Sequence, residues 1–177
     1  MSCPLAKIRW KLCASMSDAV TLPPEEILAE EPQVPTRRLL LFELGGHGFA
    51  CDMESFREIV PPRALTRLPG APDNVCGLIN LRGTIVTVID GGVTLGRAPY
   101  KRDEGLILLV DYLDRFAAIG VDDVRDIQDV PVDQFATIGE TEIPVAGAVT
   151  GVVEIGGERV LVLDIKTVVH QVIGQGR

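Results

Sequence analysis

The sequence has few of the residues that mark secreted, membrane-spanning or catalytic proteins. Its four cysteines lack the paired C-x-x-C spacing of a zinc site, and no secretory signal accompanies them, so the sequence does not imply a disulfide framework. The longest apolar run, Leu106 to Val110, is far shorter than the roughly 20 residues that a membrane helix needs. These shortages favour a reduced, cytoplasmic protein with no direct membrane insertion.

Charge excludes a second group of functions. The 177 residues carry a net charge of −8, and the isoelectric point is near 4.8. Such a chain repels phosphate backbones and anionic lipid head groups, so we expect no binding to nucleic acid. The 46% of hydrophobic residues are enough for a real core. Proteins or small molecules are the expected partners.

A fourteen-residue stretch occurs twice without a gap, as GLINLRGTIVTVID from Gly77 to Asp90 and as GVVEIGGERVLVLD from Gly151 to Asp164. Both copies keep glycine, valine and aspartate at the same places. Upstream of each copy, Phe49-Ala and Phe56-Arg-Glu-Ile are echoed by Phe116-Ala and Val124-Arg-Asp-Ile, with a slip of one residue between the two matches. An internal duplication therefore predicts two related β units.

The first part of the chain differs from the rest. Residues 1–37 read as an arm or linker with four prolines between Thr21 and Thr36, and they contain only a short candidate helix from Glu25 to Glu30. No apolar segment of a signal peptide follows the early basic residues, and Met16 is an alternative start. We expect the folded domain over residues 38–173 and a short tail at 174–177.

The glycine-rich turns predict hairpins. Gly45-Gly46-His-Gly supplies positive φ angles between two apolar runs, and Arg82-Gly83 turns the chain between the strands of the first repeat. Period-two alternation puts Val75, Gly77, Ile79 and Leu81 on one face of the strand before that turn. No long crossover helices are present, which favours antiparallel barrels or sandwiches. Apolar spacing after Asp164 predicts a C-terminal helix to Ile173.

Catalytic and metal-binding patterns are missing from the sequence. His47 lies in a hairpin tip and His170 in the terminal amphipathic segment, and neither has a nucleophile and base pattern around it. The glycine motifs lack the residues of phosphate or dinucleotide loops. Asp122-Asp123, Asp126 and Asp129 lack the spacing of a calcium loop and suit a charged edge strand. We expect no catalytic residues, cofactor or metal.

Three other residues have a structural and a functional interpretation. Arg82 at a hairpin corner is either solvated or directed to a carboxylate inside the protein or on a partner. Phe56 and Ile59 either pack in the core or form an apolar patch for a partner. A small-molecule-binding β barrel, or a hydrolase with a cryptic site, is the alternative from a different functional class.

The segment from Leu68 to Asp90, LPGAPDNVCGLINLRGTIVTVID, resembles the signature of CheW-type chemotaxis coupling proteins. Its Gly-x-x-Asn-x-Arg-Gly core is specific in combination with the flanks. Phe42-Glu-Leu-Gly, Phe56-Arg-Glu-Ile and Gly120-Val-Asp-Asp-Val also resemble parts of that domain. The resemblance covers roughly Arg38 to Ile173.

The resemblance implies a mainly β fold of two intertwined, five-stranded, SH3-like antiparallel barrels with a C-terminal helix. It also implies a non-enzymatic adaptor that couples the cytoplasmic tips of chemoreceptors to the regulatory domain of the histidine kinase CheA. Phe56, Glu58 and Ile59 are expected on or near the surface that meets the kinase or receptor. Gly77 and Arg82 are expected where family members support receptor coupling.

The chain departs from the family pattern at a few positions. Thr87 stands at a usual proline, Ala118 stands at a usual glycine, and Gly91-Gly92 replaces a usual Leu-Arg pair. The loss of an apolar and a basic side chain after Asp90 predicts a softer contact surface there. A pilus-motility pathway or another chemosensory pathway remains an alternative to flagellar control.

Overall fold

A computed structural model describes residues 34–113, 115–136 and 144–174. Residues 1–33 of the arm, with its candidate helix, and residues 175–177 of the tail lie outside the described residues, whereas Thr36 and Arg37 belong to the first strand and Gly174 to the last helix. Ten strands and two α-helices are present in the described part, in the following order: β1 (Thr36–Leu44), β2 (His47–Asp52), β3 (Glu58–Val60), β4 (Val75–Leu81), β5 (Thr84–Asp90), α1 (Gly91–Thr94), β6 (Leu106–Tyr112), β7 (Arg115–Val121), β8 (Asp123–Pro131), β9 (Val149–Ile155), β10 (Glu158–Leu163) and α2 (Ile165–Gly174). Within these residues, neither helix is long and apolar enough to cross a lipid bilayer.

The strands form two five-stranded sheets whose members come from both halves of the chain. The first sheet has the order β8-β1-β2-β10-β9 and the second has the order β3-β6-β7-β5-β4. Each sheet therefore combines a hairpin of one half, β1-β2 or β6-β7, with three strands of the other half. The expected pair of intertwined five-stranded units with a C-terminal helix is confirmed.

The internal duplication extends to the pairing register. Phe49 of β2 pairs with Leu161 of β10 in parallel, and at the matching place Ala117 of β7 pairs with Thr87 of β5. These parallel pairs join the hairpin of one half to the strands of the other. Phe49 therefore corresponds to Ala117, so the sequence alignment with Phe116 is wrong by one residue. Phe49 and Ala117 are 68 residues apart (117 − 49), as are Phe56 and Val124 (124 − 56), so no slip separates the two matches in the structure.

Strand β1 is buried on both faces, which explains its unbroken apolar run. Leu39 and Leu41 point into the small core of the first sheet, while Leu40, Phe42 and Leu44 join the larger core shared with the second sheet. Such burial removes the usual alternation of apolar and polar residues along a strand.

Three two-residue turns connect hairpins and have positive φ at both positions. They are Gly45-Gly46 (φ 56° and 77°), Arg82-Gly83 (51° and 88°) and Gly156-Gly157 (60° and 81°). Positive φ at both central residues matches the right-handed twist of the flanking strands. The turns predicted from the glycine pairs are thus confirmed.

The burial pattern of β4, the strand before the Arg82-Gly83 turn, differs from the alternation expected from the sequence. A bulge between Val75 and Gly77 adds Cys76 to the strand, so that Cys76 is buried and Val75 is only half-buried. One extra residue reverses the facing of everything before it. Strand β9 carries a bulge at the equivalent place, where Val149 and Gly151 pair with Leu163 and Val162.

Each repeat ends in an aspartate that caps the helix after it. Asp90 is fully buried, and its carboxylate accepts hydrogen bonds from the backbone N–H groups of Val93 and Tyr100, each at 3.1 Å. Asp164 accepts from the backbone N–H of Lys166 at 3.0 Å and from the Thr167 hydroxyl at 2.6 Å at the start of α2. The expected C-terminal helix and its cap are both present.

The two aspartates allow a matched test of burial. We expect Asp90→Ala to lower the free energy of unfolding by about 3 kcal/mol, because it strands buried N–H donors on both α1 and the loop at Tyr100. Asp164→Ala removes a partly exposed cap, so its cost should be about 1 kcal/mol. Urea denaturation of both variants would measure the difference. Equal losses would contradict the structural role given to Asp90.

Candidate partner-binding surface

An ion pair joins the two outer strands of the second sheet. Arg82, in the turn between β4 and β5, lies 3.4 Å from the carboxylate of Glu58 on β3. Strands β3 and β4 are the first and last of the sheet order, so the pair crosses the seam where the sheet curls into a barrel. The fold therefore brings together two of the residues predicted to bind a partner.

A different charge cluster lies across one face of the first sheet. Arg125 on β8 contacts Glu158, at the start of β10, and Glu43 on β1, each at 2.9 Å. Gly48 of β2 leaves room for this cluster, since an added Cβ would lie 3.1 Å from the Glu158 carboxylate. Both carboxylates raise the pKa of Arg125 by hydrogen bonding to it. This cluster thus links strands within the sheet and does not cross the seam between the outer strands β8 and β9.

Arg82 adopts a backbone conformation that favours glycine. Its φ is 51°, and the second repeat has Gly156 at the corresponding place. The left-handed conformation costs a non-glycine residue about 1 kcal/mol. Its ion pair does not offset that cost securely, because the side chain is 81% exposed and exposed pairs contribute about 0–1 kcal/mol. An exposed arginine in a strained turn, where the other repeat has glycine, is therefore a candidate for partner contact.

Two exposed isoleucines lie next to this ion pair or its turn in the sequence. Ile59, next to Glu58, is 39% exposed, and Ile85, at the start of β5, is 61% exposed. We call Glu58, Ile59, Arg82 and Ile85 the seam surface. Phe56 is half-buried and packs on the core beside the start of β3.

Sequence reasoning missed Ile85. Residues of β5 alternate between buried Val86 and Val88 on one side and Ile85 with Thr87 on the other. The sequence signal that could have identified Ile85 is an isoleucine on the outward side of a strand, directly after a turn.

Gly77 has a structural explanation in the described residues. It is buried in β4 with φ 141°, and an added Cβ would lie 2.4 Å from the backbone oxygen of Thr66. Thr66 and Leu78 exchange two backbone hydrogen bonds of 2.9 and 2.8 Å across this point. The missing side chain lets the 66–67 segment lie directly on β4, so Gly77 supports the site from inside.

The Gly91-Gly92 departure does not form a softened contact surface as the sequence predicts. Both glycines are buried in α1, and a Cβ on Gly92 would lie 1.9 Å from the backbone oxygen of Ala98. The backbone of the following loop thus occupies the space that a side chain on Gly92 would need. Ala118 is fully buried in β7, and Thr87 pairs on both sides within the sheet.

The histidines lie on different elements. His47 starts β2 and its ring Nδ1 lies 3.0 Å from the Gly45 oxygen, while His170 on α2 lies 2.8 Å from the Tyr112 hydroxyl. No three His, Cys, Asp or Glu side chains of the described ranges are grouped so that they could hold a metal ion.

The predicted acidic cluster has separate structural partners. Asp122 accepts hydrogen bonds from the backbone N–H groups of Gly45 and Lys101. Asp129 pairs with Arg38, whose hydrogen bonds lower the pKa of that carboxyl. Strand β8, which carries Asp123, Asp126 and Asp129, is an edge strand as expected.

Both cysteines of the described residues are buried and free. Burial raises the pKa of Cys51 and of Cys76 to about 12. A thiol with such a pKa is protonated at neutral pH and is a poor nucleophile. The Cys76 sulfur lies 3.7 Å from the carboxylate of Asp90, which raises the pKa further.

Comparison with known proteins gives one family. The model of the CheW-like domain matches residues 38–172. Chemotaxis protein CheW of Klebsiella aerogenes is 29% identical over 132 residues, which cover 73% of this chain and 80% of that protein. Protein PilI of Pseudomonas aeruginosa is 34% identical over 97 residues, and the match spans about half of each chain, 54% in both cases.

A solved structure has the same fold. The crystal structure of the scaffolding protein TtCheW from Thermoanaerobacter tengcongensis superimposes with a TM-score of 0.69 at 22% identity. The match covers 79% of this chain and 90% of that one. The arrangement of two SH3-like barrels is thus shared.

Alanine substitutions at Gly77 and at its counterpart in the repeat, Gly151, distinguish an effect of backbone strain from a loss of partner contact. We expect Gly77→Ala to lower the free energy of unfolding by about 3 kcal/mol, because the new Cβ meets backbone and φ is unfavourable. Gly151→Ala should cost only about 1 kcal/mol, since its Cβ would meet the Phe135 side chain at 3.1 Å. Thermal denaturation would measure both. A stable Gly77→Ala protein that fails to bind its partner would instead make Gly77 a contact residue.

Proposed function

Because this chain belongs to the CheW-like domain family, we propose that it couples the cytoplasmic tip of a chemoreceptor to the regulatory domain of a CheA-type histidine kinase. It is a scaffold protein of the chemotaxis type by family, and the choice of these two partners is our proposal. The domain match over residues 38–172 and the chemotaxis relatives support it. We also propose that the protein is cytoplasmic, because the receptor tip and the kinase regulatory domain lie in the cytoplasm.

The seam surface is the observation that carries this proposal. It combines the exposed Ile59 and Ile85 with a guanidinium whose ion-pair partner among the described residues is the partly exposed Glu58 carboxylate, at 3.4 Å. A partner carboxylate can therefore replace Glu58 at Arg82 at little cost in stability. Small, reversible interfaces combine an apolar centre with a charged rim in this way.

Function as a scaffold requires binding and no turnover. Relatives of the chain are chemotaxis and pilus proteins, and one solved neighbour is titled a scaffolding protein. The protonated thiols of Cys51 and Cys76 fit a binding role. We propose that this protein has no catalytic residues, cofactor or metal of its own.

A pilus-motility pathway is the second candidate. The likeness to PilI, 34% over 97 residues, favours it. Both candidates use the same seam surface and differ only in which receptor and kinase bind. Titration against the receptor and kinase fragments of each pathway from the same cell would discriminate them.

Direct binding is the first test. The full chain should bind a CheA regulatory domain and a receptor tip fragment in separate titrations, each with affinity in the range of small transient interfaces. Isothermal titration calorimetry would measure both. Absence of both interactions would refute the coupling role.

Arg82→Ala should weaken binding of the receptor tip by about tenfold, because a charge-assisted hydrogen bond to a partner carboxylate is lost. Its melting temperature should not fall, since the substitution removes an exposed ion pair of little value. Arg159→Ala is the matched control, as Arg159 is another exposed arginine near a hairpin turn. Unchanged receptor binding by Arg82→Ala would remove Arg82 from the site.

Glu58 provides a second, independent measurement. If Arg82 exchanges Glu58 for a partner carboxylate, Glu58→Ala should strengthen receptor binding or leave it unchanged. A double-mutant cycle of Arg82→Ala and Glu58→Ala would give the coupling between them. A loss of binding in Glu58→Ala equal to that in Arg82→Ala would show that the intact ion pair is the recognised feature.

A further inference from the structure

A second surface of the same barrel carries two arginines that the coupling role does not use. Arg67, from the segment before β4, and Arg102, from the loop before β6, line one open cavity of about 200 Å³. Leu68, Pro72 and Asp73 also line it, and Cys76 of β4 forms part of its wall. We call this cavity the arginine pocket. It is distinct from the seam surface, because the six residue steps from Cys76 to Arg82 along β4 and its turn span about 20 Å.

Both arginines are carried by backbone that is fixed in place. Two hydrogen bonds between Thr66 and Leu78 hold the chain next to Arg67. On the other side, the Tyr100 N–H donates to the Asp90 carboxylate and the Lys101 N–H donates to Asp122, directly before Arg102. A pocket whose walls are already ordered loses little conformational entropy when it binds a ligand.

The charges in the pocket are not balanced by the described residues. Five other arginines of the chain form ion pairs with carboxylates, whereas neither Arg67 nor Arg102 lies within 4.0 Å of a carboxylate in the described ranges. Asp73 lines the cavity without such a contact. Two arginines and one aspartate line the cavity, so its lining carries a net positive charge in a protein whose net charge is −8.

The apolar rim indicates what kind of anion fits. Leu68, which lines the pocket, is 48% exposed, and Ala71, Pro72 and Val75 contribute further apolar atoms to the lining. A free inorganic anion gains nothing from such atoms, while a peptide that carries a carboxylate next to an apolar side chain uses both. Guanidinium groups bind carboxylates with a geometry that a peptide side chain can meet.

We propose that the arginine pocket binds an acidic segment of a partner protein, with a carboxylate between Arg67 and Arg102 and an adjacent apolar side chain against Leu68. This is a second contact surface beyond the proposed coupling through the seam surface. A scaffold with two separate surfaces on one barrel can hold two protein segments at once.

The test uses the full chain with nitrogen-15 labelling and three probes: a short peptide of alternating leucine and glutamate, the same peptide with glutamine for glutamate, and inorganic phosphate at equal ionic strength. The acidic peptide should shift the side-chain signals of Arg67 and Arg102 in a saturable way, and the glutamine peptide and phosphate should not. The double variant Arg67→Gln/Arg102→Gln should weaken acidic-peptide binding by at least about tenfold. Arg159→Gln, the control, should bind as the unsubstituted chain does.

Three outcomes would overturn the proposal. Equal binding of phosphate and peptide at the two arginines would show a simple anion site, peptide shifts confined to other residues would place binding elsewhere, and unchanged binding by the double variant would remove these arginines. Melting curves of the single variants Arg67→Gln and Arg102→Gln show whether a loss reflects unfolding, and a folded single variant that binds normally would also count against the pocket. The probes include neither kinase nor receptor, so failure here is separate from failure of the coupling role.

Discussion

The parallel pairing between the two halves of the chain is the constraint on which the rest of the structure depends. Strand β2 pairs in parallel with β10, and β5 pairs in parallel with β7, so neither half of the chain contains a complete sheet. The same exchange buries β1 on two faces and joins the cores of both barrels. The hairpins, caps and seams are local features that this exchange places relative to each other.

Duplication gave both barrels one plan, and the differences between them indicate which features serve function. Arg125 joins strands of the first sheet through two carboxylates at 2.9 Å, whereas Arg82 spans the outer strands of the second sheet to one carboxylate at 3.4 Å, from a strained turn. Where the first barrel has Gly156 in its turn, the second has this arginine. The Arg125 cluster has a structural explanation within its own sheet, and Arg82 is the arginine that we propose for partner contact.

Local features of the fold were accessible from the sequence, and features set by tertiary contacts were not. The glycine pairs that begin at Gly45 and Gly156 predict their turns, because glycine adopts positive φ without steric cost. The bulge at Cys76 and the burial of Gly91 depend on what packs against them, which alternation along a strand cannot report. Likewise, Arg82 and Glu58 were each identified as candidates, but their approach across the seam follows from barrel closure alone.

Strand exchange also affects how the protein comes into being. Strand β1 pairs with β8 and β2 pairs with β10, so the first barrel cannot assemble until β10 has been synthesised. All five strands of the second barrel precede β8 in the chain. A nascent chain that still lacks β8 and β10 leaves the edges of β1 and β2 unpaired, and unpaired strand edges are targets for aggregation and for chaperones. The interleaved order thus delays the first barrel relative to the second.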